Sequence, residues 1–370
     1  MNPATDATKA AHFHPSDLTD FAAALLTRSD LASNRAETVA MLLVEGDLLG
    51  HTTHGLALLP GYLQQIASGG MAVVGEPEVV SDRPAALVWD GKRLPGLWLT
   101  YDAVTVAVQR ARTFGLGAVA IRNSHHIGCL AVFLERPARE GLMVIVASSD
   151  PSERAVAPFG GTAPLMTPNP LAVGIPTDTD PILIDISASI TTMGLAGRLR
   201  RSGERFPAPW AIDAAGAPTD DPAVLTQDPP GTILPVGGLD HGHKGFALGL
   251  LVEVLTQATS GFGRADPSAG WGASVWVQVI DPAMFAGREA FTRQTSWLAA
   301  ACRANPPRPG VSAVRLPGEQ GLARKRAALD DGLALHPEIM DKLRPWAERL
   351  QVPLPAPMRV KAKRTAEEAR

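Results

Sequence analysis

Between residues 78 and 280 the chain carries a series of apolar runs too short to be helices: Glu78 to Val80, Ala85 to Trp89, Leu116 to Arg122, Leu142 to Ala147, Leu171 to Ile175, Ile182 to Ile186 and Val275 to Ile280. Short apolar runs bounded by turn residues read as strands. One further run, Val311 to Arg315, reads as a last strand before Pro317-Gly318-Glu319. Helical patterns fall between these strands at Thr100 to Thr113, Cys129 to Arg139, Lys244 to Thr256 and Arg288 to Arg303. The first 70 residues are helical instead, with helices from Pro15 to about Thr27, from the capping-box pattern Asn34-Arg35-Ala36-Glu37 to about Leu49, and from Leu56 to Ala67. Helices at Glu319 to Leu329 and Pro337 to Leu350 close the chain. This order predicts an α/β fold with a mixed sheet in the centre and a flanking helical domain built from both termini. A length of 370 residues exceeds one small core and fits that division. The expected bounds are 1–75 with 285–358 for the helical domain and 76–284 for the sheet domain, with a loop-rich excursion at 200–235. The polar, charged stretch 359–370 reads as a disordered tail.

Composition removes several function classes. A hydrophobic content of 45% with 19% charged residues is that of a soluble globular protein. A net charge of −3 argues against nucleic acid as a partner. Two cysteines, Cys129 and Cys302, leave no disulfide scaffold or cysteine zinc site and predict a reducing, cytoplasmic setting. No apolar run reaches the length of a membrane span, and residues 1 to 20 lack the apolar core of a signal peptide, so no membrane partner is expected.

Six of the nine histidines fall in pairs: His51 with His54, His125 with His126, and His241 with His243. No acidic residue is regularly spaced with any pair and no His-Glu-x-x-His occurs, so a metal site is not expected. The stretch Asn123-Ser124-His125-His126-Ile127-Gly128 lies where a strand ends and a helix begins, the usual place for chemistry in an α/β sheet. Imidazole titrates near neutrality and suits proton transfer. The plainer alternative is a polar turn, with His125 in solvent and His126 capping the helix. Asp185, closing an apolar strand, is the candidate carboxylate to orient a histidine; its plainer role is to cap a helix over 187–199. Gly237-Gly238 and Gly242-His243-Lys244-Gly245 open the helix at 244. Glycines, a helix N-terminus and a lysine together favour a phosphate, although a flexible loop with Gly245 easing helix packing has the same pattern. No dinucleotide-binding glycine fingerprint follows a strand.

Nine short motifs occur in an order shared with a known family. They are Asp47 to Gly55, Asn123 to Gly128, Pro158-Phe159-Gly160-Gly161, Asn169-Pro170, Asp185 with Ser189, Trp210-Ala211-Ile212-Asp213, Pro218-Thr219, His243-Lys244-Gly245 and Pro317-Gly318-Glu319. The chain resembles the type-2 malate/L-lactate dehydrogenase family, over about residues 15 to 350. Ureidoglycolate dehydrogenase, diketogulonate reductase, sulfolactate dehydrogenase and piperideine-carboxylate reductase are members. The resemblance implies hydride transfer with NAD or NADP on a non-Rossmann mixed-sheet fold, a small-molecule substrate and a homodimer. It implies proton transfer by His54 or His126 with Asp185 as the motif aspartate. Thr53 and His125 become substrate-binding candidates. Ser149, Asp185, Ile186, Ser187, Ser189, His243, Lys244, Gly245, Gly318, Glu319 and Gln320 match cofactor-binding positions. There are departures: Leu58 stands where many relatives carry an arginine, so a bidentate carboxylate clamp is missing there. Thr53 replaces the usual serine, His243 the usual tyrosine, Gly194-Leu195 the usual Gly-Lys, and Thr167-Pro168 the usual Gly-Thr before Asn169-Pro170.

The resulting expectation is an oxidoreductase for a small 2-oxo or 2-hydroxy acid, or a related cyclic imino acid. A metal-dependent hydrolase or lyase using the histidine pairs and a catalytically inactive nucleotide-binding protein are the rival readings.

Overall fold

The computed structural model describes residues 11–268 and 270–358; the expected tail at 359–370 lies outside them. The chain opens with β1 (His12–Phe13), α1 (Pro15–Thr27), α2 (Ser33–Leu48), a 3-10 turn and α3 (Leu59–Ala67). The sheet region then runs β2 (Glu78–Arg83), β3 (Ala86–Asp90), α4 (Gly96–Phe114), β4 (Leu116–Ser124), α5 (Glu135–Arg139), β5 (Met143–Ser149), β6 (Pro170–Ile175) and β7 (Ile182–Ser187). It continues through α6 (Met193–Ser202), β8 (Ala211–Ile212), β9 (Pro218–Thr219), β10 (Thr232–Ile233), α7 (Gly238–Glu253), β11 (Ala273–Ile280) and α8 (Arg288–Ala304). The chain closes with α9 (Glu319–Asp331), β12 (Leu333–Ala334) and α10 (Pro337–Leu350).

These elements form two compact units, one of residues up to Gln64 and from Gly321 on, the other Gln65–Gln320. In the first unit α1 buries Leu18, Phe21, Leu25 and Leu26, and α2 buries Val39, Leu42 and Leu43, which is the spacing of an apolar helix face. The expected capping box is not formed. Ala32 is the N-cap of α2, its carbonyl accepting from the Arg35 and Ala36 amides, with no side-chain cap. β1 and β12, missed in the sequence, pair antiparallel.

The second unit holds a seven-stranded sheet in the order β2-β3-β4-β11-β5-β6-β7. Only β3 and β4 are parallel, joined through α4; every other pairing is antiparallel. The central strands bury Val119 and Ile121 of β4, Val275, Val277 and Val279 of β11, and Val144 and Val146 of β5. α8, expected with the terminal helices, belongs to this unit. Thr295 donates its hydroxyl to the Pro176 carbonyl at 2.7 Å and Ser296 accepts from the Asp178 amide at 2.9 Å.

Three elements differ from expectation. Val311 to Arg315 is not a strand: Val311 is exposed and the segment is irregular, with one bend at Ser312. The 129–139 helix breaks into a 3-10 turn, Leu130–Phe133, and the short α5, because Pro137 has no N–H to donate to the Phe133 carbonyl. The 200–235 excursion is more regular than its prolines suggest. β10, β8 and β9 form a small antiparallel sheet over a core that includes Phe206, Ala211, Leu225 and Ile233.

Candidate active site

The C-terminal ends of β3 and β4 place the His125-His126 turn. Asp90, the last residue of β3, is the hub. Its carboxylate accepts from the Lys92 amide, Arg122 Nε and Asn123 Nδ2, each at 3.0 Å. Lys92, Arg93 and Asn123 all have positive φ, at 47°, 63° and 52°. For non-glycine residues this costs roughly 1–2 kcal/mol each, so the surrounding bonds must hold them. The Arg93 amide donates to the Asn123 carbonyl at 2.6 Å, and the His125 amide to the Leu94 carbonyl at 3.1 Å. The start of α4 presses on the same turn. A methyl group at Gly96 would come within 2.0 Å of the His125 carbonyl oxygen and 2.7 Å of that of His126, so only glycine fits.

The two histidines then part company. His125 is fully buried, against the edge of the Trp271 indole at 5.2 Å between ring centroids. Burial, and next the charge of Arg93, hold its pKa down at about 3. It is a neutral side chain inside the protein, which corrects the plainer reading of His125 as a solvent-exposed turn residue. His126 is half-buried, its ring tilted by 30° over Trp271 at 4.6 Å. Its Nδ1 accepts from the Gly128 amide at 3.3 Å, a bond that favours the tautomer with the proton on Nε2.

Asp185 anchors backbone beside the histidine turn. Its carboxylate accepts from the Ala131 amide at 2.9 Å and faces the Cys129 thiol at 3.5 Å, closing the 3-10 turn that follows the histidines. Burial first, and then the Asp185 charge, push the Cys129 thiol well up. The helix expected to be capped by Asp185 starts later, at α6, where Thr192 accepts from the Leu195 amide.

In the terminal-helix unit, His54 lies in the turn after α2. Its Nδ1 is 2.8 Å from the Thr53 hydroxyl, and its amide donates to the His51 carbonyl. Buried Asp47 anchors this turn by accepting from the Leu56 amide at 2.7 Å.

Several of the expected cofactor positions lie where the segment after β7 meets the start of α7. The Ile190 amide donates to the Leu234 carbonyl and the Val236 amide to the Ala188 carbonyl, so the segment after β7 runs beside the stretch leading into α7. Gly245 packs here: a methyl group would lie 2.4 Å from the Val236 nitrogen. Its amide donates to the Val236 carbonyl at 3.1 Å. That amide is therefore committed to protein, and α7 starts at Gly238 with a kink at His241, not at Lys244 as expected. His243 and Lys244 are exposed, and Phe159 meets the His243 ring edge-on at 5.8 Å. Beside them a cavity of about 220 Å³ is lined by Pro158, Phe159, Gly160, Gly161, Ile212 and Leu239, among others. Of the remaining positions, Ile186 is exposed, whereas Ser149 is buried with its hydroxyl bonded to Thr256 and Gln257. Ser187 and Ser189 donate to the Ser189 and Thr191 carbonyls. Gly318 packs on Leu183 of β7, Glu319 accepts from the Leu316 amide and pairs with Arg303, and Gln320 accepts from Arg315.

Sequence reasoning missed Asp90, Arg93, Gly96 and Trp271. The Asp90-Gly91 turn was legible, but nothing in the sequence marks Lys92, Arg93 or Asn123 as left-handed. Trp271 sits between Gly270 and Gly272 in a loop with no strand or helix pattern.

The family model described as malate/L-lactate dehydrogenase matches residues 13–344. The L-lactate dehydrogenase of Cupriavidus necator is 32% identical over 339 residues, covering 90% of this chain and 95% of that protein. The (2R)-3-sulfolactate dehydrogenase (NADP(+)) of Chromohalobacter salexigens is 34% identical over 84% of this chain and 91% of its own length. The crystal structure of malate dehydrogenase from Entamoeba histolytica superposes with a TM-score of 0.88 at 23% identity, covering 94% of this chain and all of that one, which shows the shared fold. The mixed seven-stranded sheet, the motif order and these matches agree, and the chain belongs to the malate/L-lactate dehydrogenase family of oxidoreductases.

Proposed function

We propose that this protein uses NAD or NADP to interconvert a small 2-oxo acid with its 2-hydroxy acid, or a related cyclic imino acid with its reduced form. Family membership along nearly the whole chain carries this reading. It is supported by a half-buried imidazole, His126, held in a turn that permits little movement. Reduction of a carbonyl leaves negative charge on oxygen, and an imidazole N–H neutralises it; in oxidation the same nitrogen takes the proton back. His126 is the proposed proton carrier in the sheet unit, and His54, fixed by Thr53, is its counterpart in the terminal-helix unit. Asp185 holds the turn after His126, and His125 packs beneath it.

The region around α7 fits a dinucleotide. The Thr191 hydroxyl is buried with no hydrogen-bond partner among the described residues, inside the segment expected to hold the cofactor. The Lys244 ammonium stands exposed nearby in sequence to the Gly245 contact, ready for a phosphate. Ser187, Ser189, His243 and the Pro317-Gly318-Glu319 turn complete the proposed set. The nicotinamide supplies or accepts the hydride; the protein supplies position and electrostatics.

The α7 helix and its π-helical continuation Val254–Ala258 also expose Leu250, Leu251 and Val254 on one stripe. Exposed apolar stripes of this kind mark association surfaces and support a homodimer. Light scattering at micromolar protein should give twice the chain mass; a single-chain mass would reject it. Both cysteines are free, which suits a reducing cytoplasm.

The test of function is absorbance at 340 nm with NADH or NADPH and the 2-oxo acids corresponding to lactate, malate and sulfolactate, together with a cyclic imino acid. Turnover that survives a chelator is expected. No oxidation of either cofactor with any of them would reject the reading.

A further inference from the structure

We infer that Arg93 and Trp271 form a positioning device that sets the His126 ring, with Asp150 and Ser152 holding the same loop. The inference rests on the reading of His126 as a proton carrier, and the observations behind it are independent of that reading. Residues Gly270-Trp271-Gly272 lead into β11. These three residues are each fastened. Ser152 donates its hydroxyl to the Gly270 carbonyl at 2.8 Å. Arg93 Nη2 donates to the Trp271 carbonyl at 2.9 Å, and Asp150 accepts from the Gly272 amide at 2.9 Å. Further back, Arg264 pairs with Glu253 through two bonds of 2.9 and 3.0 Å and reaches the Pro151 and Glu153 carbonyls.

Arg93 does more than close a loop. Its Nε and Nη2 also donate to the Gly70 carbonyl, so one guanidinium joins two backbone segments far apart in sequence. Only a planar fork with several donors does this; a lysine ammonium is a point charge on a flexible stem. Arg93 keeps a left-handed backbone that costs energy in a non-glycine residue. Such outliers concentrate where the local conformation is needed for function. The result is an indole whose backbone is fastened at three consecutive residues, with His125 against it edge-on and His126 over it at a 30° tilt. An imidazole backed by a fixed indole has little room to turn. Misplacement of a reacting group by an ångström can cost two orders of magnitude in rate.

The experiment uses the full-length protein labelled with ¹⁵N and ¹³C in histidine, with the His126 ring signals assigned from His126→Ala. Stacking on the indole displaces those signals by ring current. In Arg93→Lys the His126 ring signals should move away from their wild-type positions. Turnover should fall roughly 10- to 100-fold while the KM for the 2-oxo acid stays within about threefold. Trp271→Leu should behave in the same way, and Trp271→Phe, which keeps an aromatic face, should recover most of the rate. Circular dichroism confirms that each variant is folded; should Arg93→Lys fail to fold, the Trp271 pair decides alone. Wild-type rates in Arg93→Lys and Trp271→Leu, or a lost rate with unmoved His126 signals, would overturn the inference. Normal turnover of His126→Ala would instead reject the proton-carrier reading, and the labelled spectra would still show whether Arg93 and Trp271 set that ring.

Discussion

The turn after β4 and the start of α7 each carry two closely spaced histidines, yet they are built in opposite ways. At the turn, Asp90, Arg93, Gly96 and Trp271 converge, His125 is sealed in and His126 is half-buried. At α7, His241, His243 and Lys244 all stand exposed on a kinked helix whose Gly245 is its fixed point. The first arrangement restricts an imidazole to one orientation, as proton transfer requires. The second leaves a flexible cation in solvent, as capture of a charged ligand requires. Pairing in the sequence therefore says little about role; what packs behind each ring decides it.

The comparison breaks first at His126. His126→Ala should lower kcat by roughly a hundredfold or more with cofactor affinity nearly unchanged, as for loss of a general acid. If steady-state rates stay near normal, the rigid turn serves packing alone and His54 takes the proton-transfer role. At α7 the signature should invert. Lys244→Ala should weaken dinucleotide binding about tenfold to a hundredfold in isothermal titration, and Lys244→Glu more, because a charged hydrogen bond contributes about 1.5–3 kcal/mol. An unchanged dissociation constant in folded Lys244→Glu would place the phosphates elsewhere.

Gly96→Ala probes how tightly the turn is wedged. A methyl group cannot share space with the His125 carbonyl, so the turn or α4 must shift, at a cost of about 1–3 kcal/mol. A lower melting temperature and a reduced kcat should appear together; a variant equal to wild type in both would show that the turn yields freely. At neutral pH the smallest effect belongs to His125, because its contribution changes only in acid. Its folded pKa, about 3, lies below its unfolded value, so the unfolded chain binds an extra proton between these two. The stability contribution is complete above about pH 6.5 and is lost as pH falls toward 3, with a slope of up to about 1.4 kcal/mol per pH unit. In His125→Gln the decline in melting temperature across that window should be shallower. Parallel curves for the two proteins would refute the buried neutral histidine.

Much of the fold was legible because strand and helix periods differ and most elements here obey them. Leu116 to Arg122 and Val275 to Ile280 were found within a few residues: every second side chain from Val275 on is buried, and β4 is buried continuously from Val119 to Ile121. Failures came where local pattern and tertiary partner disagree. Val311 to Arg315 has strand composition but no neighbour to pair with. Asp185 accepts from the Ala131 amide and faces the Cys129 thiol, a backbone task that its place at a strand end does not announce. Arg93 carries no sequence signal at all: its importance arises from two carbonyls, Gly70 and Trp271, that only the folded chain brings to it.

The sheet order has a consequence for synthesis. β11 lies between β4 and β5, although the ribosome makes it long after both, and even after β6 and β7. At 5–20 residues per second, β4 and β5 spend many seconds as nascent strands with no central partner. Each has one edge able to bond a foreign strand during that interval. β4 can dock early on β3 through the local α4 connection, and β5 on β6, giving two half-sheets that wait for one closing strand. Truncated chains ending before Ala273 should therefore be the species that chaperones retain, and the yield of active protein should depend more on the residues of β11 than on those of either outer edge.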